Sequence, residues 1–396
     1  MLVTPSGLHA DPLVMALAQC AADKRPDKID LLVGVYRDEF SATPVMKAVR
    51  LAAARVAQHE TSKAYLSLTG RESFTAAILD LIVGNSDLRG RTAGIQAVGG
   101  SGALKLLFEL VRRIDSRATL WLSAPGYSGH SAIALGVGLP VKYYSYVADR
   151  QGGVVLERIL EALEEAERGS FVVLHAACHN PTGVDLSEDQ WTEVGRLCGR
   201  KGLIPIFDVA YQGLGSGLKA DVSSLVLVSR WVEYMMVAVS CSKTFGVYRE
   251  RAGAAFLVGP TAVKVESALH SLVEISFASW AVPPDHGAAI VETILSDPQL
   301  HSLWEDELDS MRVRLARIRE DLSSALAGAV NGDGAEYIRR GRGIFSLLPL
   351  GSQQMQQLRG QFAIHGLENG RINVTCMSET EVAAVGTAVR AVCRGV

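Results

Sequence analysis

Met236-Val237-Ala238-Val239-Ser240-Cys241-Ser242-Lys243-Thr244-Phe245-Gly246 opens as an unbroken apolar run and closes on hydroxyls, a lysine and a glycine. An apolar run of this length ending in a turn reads as a central strand of a sheet covered on both faces. Working outward, six further β-rich runs share the pattern, near Ile95–Val98, Thr119–Ser123, Val141–Tyr146, Phe171–Ala176, Leu203–Phe207 and Ala254–Val258. Amphipathic helical stretches lie between them. Gly102–Ile114 is the clearest, with Leu106, Leu107, Leu110, Val111 and Ile114 recurring at three- and four-residue steps. Strands alternating with helices predict parallel α/β units, so the fold class is α/β with one large, mostly parallel seven-stranded sheet.

Beyond Pro283-Pro284 the pattern changes to long helices, above all His301–Leu326, and then to a short α+β segment holding Tyr337–Arg339, Ile344–Leu348 and Ile372–Val374. This predicts a smaller second domain, which the N-terminal helix Pro12–Ala22 joins. The division is 1–30 as an arm and part of the small domain, 31–300 as the large domain and 301–396 as the small one. A length of 396 residues suits two or three domains. Hydrophobic residues make up 48% and charged residues 20%, which excludes disorder as the dominant state. With 39 basic against 42 acidic residues there is no positive field for a polyanion, and no nucleic-acid role is expected. The six cysteines form no CxxC pair and no metal spacing, so neither a disulfide framework nor a metal site is expected. The start, MLVTPSGLHADPLV, has no basic and then apolar leader, and no apolar stretch is long enough to span a bilayer. A soluble, cytoplasmic protein without a membrane partner is the expectation.

Chemistry concentrates at the ends of the apolar runs. Lys243 follows hydroxyls at Ser240 and Ser242 and precedes Arg251 by eight residues. Such a set can bind a phosphate while the amine attacks an aldehyde, which is what pyridoxal phosphate requires. Asp208, in Phe207-Asp208-Val209-Ala210-Tyr211, sits at the C-terminal end of another strand, the rim where open α/β sheets bind ligands. A carboxylate there can keep a pyridine nitrogen protonated, and Tyr211 can reach a phenolic oxygen. Asn180, in His179-Asn180-Pro181-Thr182-Gly183, lies on the same rim 28 residues earlier, where its amide can serve that oxygen and a substrate carboxylate. Gly99-Gly100-Ser101-Gly102-Ala103 joins a strand to a helix, the arrangement that offers free backbone N–H groups to a phosphate.

Together with Ala10-Asp11-Pro12, Gly34-Val35-Tyr36, Pro283–Gly287 and Arg371-Ile372-Asn373-Val374, these segments resemble the class I aminotransferases, the aspartate and aromatic amino acid enzymes of fold type I that use pyridoxal 5'-phosphate. The likeness runs nearly the whole chain. It implies that Lys243 is the Schiff-base lysine and proton shuttle, that Asp208 holds the ring nitrogen with His130 behind it, and that Asn180 and Tyr211 serve the phenolic oxygen. It implies phosphate binding by Gly100, Ser101, Ser240 and Arg251, completed by Tyr65 of a partner subunit, hence a homodimer with shared sites. Gly34 and Arg371 fall where the family binds the substrate, Arg371 on the α-carboxylate. The same likeness implies that the Asn180-Pro181 and Ala124-Pro125 peptides are cis.

Two positions depart from the family. Tyr127 stands where the family stacks a tryptophan on the cofactor ring, and Phe277 falls on the arginine that reads a dicarboxylate from the neighbouring subunit. Losing that guanidinium removes a charge-assisted fork. The expectation is therefore an aromatic or otherwise non-acidic amino donor. Two alternatives are a basic substrate read by Glu274 and an aspartate enzyme whose cation is displaced to Arg342. The same cofactor also serves lyases and oxidases, while the effector-binding regulators of this fold need an added helix-turn-helix for which this sequence leaves no segment.

Overall fold

The computed structural model describes residues 12–149, 152–328 and 335–394. Seven strands form the central sheet: β1 (Thr92–Val98), β2 (Leu120–Ala124), β3 (Val141–Ser145), β4 (Phe171–His175), β5 (Ile204–Val209), β6 (Met235–Ser240) and β7 (Ala252–Val258). Their order is β1-β7-β6-β5-β4-β2-β3, and every pairing is parallel except those of β7, which runs against both β1 and β6. All seven expected strands are present. β1 begins at Thr92, earlier than its apolar run suggests, because Thr92 still pairs with Val258 at the far end of β7.

Alternate residues of the strands enter two apolar cores. Val172, Leu174, Phe207, Val209, Val237 and Val239 pack on one face. Phe171, Val173, Ile206, Met236 and Ala238 pack on the other, against Leu106, Leu107, Leu110 and Val111 of the helix Gly99–Ile114. Burial on both faces is why these strands read as continuous apolar runs rather than as alternations.

The long helix Pro298–Leu326 starts at Asp297, whose carboxylate accepts hydrogen bonds from the Gln299 and Leu300 N–H groups at 2.9 Å. It leads to the helix Glu336–Arg340 and to an antiparallel pair, Phe345–Leu347 with Arg371–Asn373. The N-terminal helix Pro12–Ala22 has the expected bounds. It is followed by Ile29–Asp30, which pairs in parallel with Ile364–His365 and so ties the start of the chain to its C-terminal region. Ala10 and Asp11 lie outside the described residues. Among the described residues, no helix is long and apolar enough to cross a membrane.

Candidate active site

His175 and Ser240 close β4 and β6, and Asp208 is the last residue but one of β5, all on one rim of the sheet, with His175 paired to Asp208 in register. Two further elements end on that rim. The helix Gly99–Ile114 starts directly after β1, and Arg251 directly precedes β7, whose reversed direction brings it to the same edge. These ends surround a cavity of about 270 Å³ that Gly34, Gly100, Ser101, Tyr127, Asn180, Tyr211, Lys243 and Arg371 also line.

Close approach at the helix start depends on glycine. A β-carbon on Gly99, at φ +65°, would stand 2.7 Å from the Arg251 Nη2, and one on Gly100 would stand 2.8 Å from the Ser240 Cβ. Backbone N–H groups therefore reach the cavity beside a hydroxyl and a guanidinium, a cradle suited to a phosphate. Arg251 is itself at φ +56° and donates to the Tyr248 carbonyl at 3.3 Å and the Ser242 hydroxyl at 3.5 Å.

The acid of the site is buried and paired. Asp208 Oδ2 lies 2.9 Å from His130 Nε2. Burial alone would raise its pKa, but the His130 hydrogen bond and the nearby positive groups outweigh it and the net direction is down. Behind His130 the ring of His175 lies 5.0 Å away, and burial pushes its pKa down to about 3. A neutral His175 thus leaves the charge at this corner to Asp208.

Lys243 Nζ lies 5.1 Å from the centre of the Tyr211 ring. Burial lowers its pKa, with Asp208 opposing and Arg251 adding to the shift. Burial raises the Tyr211 pKa well above its ordinary value, so the phenol stays protonated. A lysine held toward its neutral form is a better nucleophile and base than a solvated ammonium.

The C-terminal region supplies a cation. Arg371 is buried, donates to the Leu32 carbonyl at 2.9 Å and has its guanidinium 4.5 Å from the centre of the Phe345 ring. Phe345 is held in turn by Arg319, a buried arginine on Pro298–Leu326 that donates to the carbonyls of Ile338, Arg342, Gly343 and Phe345. The loop bearing Asn180 is pinned by Asp185, whose carboxylate accepts from the Cys178 and His179 N–H groups at 2.8 and 2.9 Å. Both the Asn180-Pro181 and the Ala124-Pro125 peptides are cis.

Four expected residues stand elsewhere. Tyr65 is 90% and Phe277 59% exposed, and neither lines the cavity within one chain. Glu274 pairs with Arg113 at 2.9 Å on the outer face of the helix Glu266–Trp280. Arg342 turns to the Arg340 carbonyl at 2.7 Å and the Ser216 hydroxyl at 3.3 Å. Other cavity residues escaped the sequence reading: His175, Leu13, Leu104, Ala210 and Phe345. His175 could have been found, since it ends a strand on the same rim as Asp208. The two leucines carry no chemical signal that separates them from core.

Comparison with known proteins agrees with this geometry. The family model described as aminotransferase class I and II matches residues 26–389. A tyrosine aminotransferase of Rhizobium meliloti (strain 1021) is 40% identical over 95% of this chain and 96% of its own length. The aspartate aminotransferase of Escherichia coli (strain K12) is 35% identical over 97% of this chain and 98% of its own. Among solved structures, an aromatic-amino-acid aminotransferase from Burkholderia pseudomallei, covalently bound to pyridoxal phosphate, superposes with a TM-score of 0.93 at 34% identity over 99% of both chains. With a lysine, a buried acid–histidine pair and a glycine-lined cradle gathered on one rim, and with relatives matching from end to end, this chain belongs to the class I and II aminotransferase family.

Proposed function

We propose that this chain is a pyridoxal phosphate-dependent aminotransferase. It moves an amino group from an aromatic or other non-acidic L-amino acid to a 2-oxo acid by a ping-pong mechanism, as a homodimer with shared sites. The observation that carries this reading is that the Lys243 amine, the Asp208–His130 pair and the Gly100–Ser240–Arg251 cradle all face one cavity.

The cofactor fits these residues. Only glycine at 99 and 100 leaves room for a phosphate beside Arg251 and Ser240, and the ionised, buried Asp208 matches a protonated ring nitrogen. Bound there, pyridoxal phosphate supplies an aldehyde and an electron-accepting ring for the charge released at the substrate α-carbon. Lys243 would hold the aldehyde carbon, and its Nζ, once freed by the incoming substrate amine, would take the α-proton and return it one position away. Asn180 and Tyr211 would hold the phenolic oxygen. Ser101 and Arg251 would grip the phosphate, with Tyr65 of a second subunit closing the cradle. Arg371 pairs with the α-carboxylate, its guanidinium aimed by Phe345 and by the Leu32 carbonyl. The large domain, 31–300, carries the cofactor, and 1–30 with 301–396 covers the substrate.

Phe277 supports the choice of donor. A substrate carboxylate beside a phenyl ring, without a cation, would be left unpaired. The alternatives lose their means within the chain, because Glu274 is already paired with Arg113 and Arg342 is bound to backbone and Ser216. The test is to mix the loaded protein with single amino acids and follow pyridoxamine phosphate and the matching oxo acid. Tyrosine or phenylalanine converting stoichiometrically supports the reading. Ammonia or carbon dioxide released instead would replace it with a lyase or oxidase, and aspartate as the best donor would restore the dicarboxylate reading.

A further inference from the structure

The Tyr127 ring is placed by a missing side chain. A β-carbon built on Gly129 would stand 2.4 Å from both Cε1 and Cζ of Tyr127 and 2.7 Å from its hydroxyl. No side chain tolerates such distances, since carbon atoms in contact settle at about 3.5–4.0 Å. The ring therefore lies across the space that any residue other than glycine would fill. Its edge rests on His130, with ring centres 5.3 Å apart and planes at 82°. Tyr127 lines the cavity together with Ser101.

Gly129 has no conformational reason to be glycine. It sits in the first turn of the helix Ser128–Val137, and its backbone is not in the left-handed region. By helix propensity alone, glycine there is worse than alanine. Gly126 differs, because a β-carbon on it would meet the Ser123 carbonyl oxygen at 2.3 Å, and backbone cannot swing aside as a ring can.

We propose that Gly129 is a specificity-determining residue: by leaving room for the Tyr127 ring to lie back, it sets the width of the cavity available to an aromatic donor. This rests on the aminotransferase reading above and adds to it the residue that sizes the pocket. A methyl group at 129 drives the ring forward by about 1 Å, the shortfall from van der Waals contact. His130 packs against the ring and Tyr127 lines the cavity, so the displacement proposed is into the cavity.

The experiment compares wild type, Gly129→Ala, Tyr127→Ala and the double variant. The Tm of Gly129→Ala is measured alongside, so that a lost activity is told apart from a lost fold. Its kcat/KM should fall roughly ten- to hundredfold for the largest ring-bearing donor that wild type accepts, mainly through KM, with little change for alanine. In the Tyr127→Ala background the same change should do almost nothing, because the ring it displaces is gone. A crystal structure of the cofactor-free Gly129→Ala chain reads the ring position independently of turnover. An equal loss for large and small donors, a loss that persists without the Tyr127 ring, or an unmoved ring overturns the inference. A wild type that converts no amino acid at all sinks the aminotransferase reading instead, and the crystal structure still decides the ring.

Discussion

The two halves of the site are built by different means. Asp208, Ser240 and Arg251 stand at neighbouring strand ends, each fixed by register or by a hydrogen bond within the chain, and Lys243 follows Ser240 on the short helix Cys241–Thr244. Phe277 and Tyr65 stand on the outside of the same chain, 59% and 90% exposed. On the reading proposed here, the sheet rim would hold most of the cofactor from within one chain, while Tyr65 and Phe277 would reach the neighbouring cavity across a subunit boundary.

The strongest way to break this comparison lies in the inner half. Lys243→Ala should lower turnover by at least ~10⁴-fold, because one amine is both the covalent partner and the base. Borohydride reduction and peptide mapping should place the pyridoxyl adduct on Lys243. An adduct on another lysine would move the whole inner half elsewhere.

The outer half is tested by complementation. Lys243→Ala and Tyr65→Ala chains, each defective, are mixed and allowed to exchange. If Tyr65 serves the neighbouring cavity, each hybrid dimer holds one intact site, and activity should recover to roughly a quarter of wild type, since half the dimers are hybrids. No recovery despite proven exchange would mean that each site is complete within one chain.

Selectivity sharpens the comparison further. Phe277→Arg should raise kcat/KM for aspartate roughly 10²-fold and lower it for phenylalanine, because a guanidinium offers the carboxylate a fork that the ring cannot. Unchanged selectivity would remove Phe277 from the pocket.

The same division explains what could be read from the sequence. Strand ends are legible because an apolar run has a definite end, and in a parallel sheet those ends share a rim. Spacing therefore places Asp208 and Asn180 on one rim, and the family resemblance joins Lys243 to them. His175 was hidden inside the run it ends, although the rim argument applies to it equally. Leu13 and Phe345 reach the cavity from the N- and C-terminal regions, and no local pattern announces a contact across more than three hundred residues. Arg319 was invisible for another reason. Its partners are backbone carbonyls, which every sequence has, so a buried arginine without a carboxylate looks like a surface one.

The smallest expected effect sets function against stability within the inner half. Burial lowers the Lys243 pKa below its ordinary 10.5. Between the folded value and 10.5 the unfolded chain holds a proton that the folded chain lacks, so this residue makes stability rise with pH across that window. Below the window both states are charged and the full cost of burying the ammonium is felt. Lys243→Met removes the cost while filling the space, and Asp208 keeps its hydrogen bond to His130. Measured without cofactor, the variant should melt about 2 °C above wild type at pH 7, with a smaller gain at pH 10. Asp208 does not disturb this comparison, since it is ionised in both states across that range. A gain that is equal at both pH values would mean that the lysine is not strained by burial. A lower melting temperature would mean that Lys243 supports the fold as well as the chemistry.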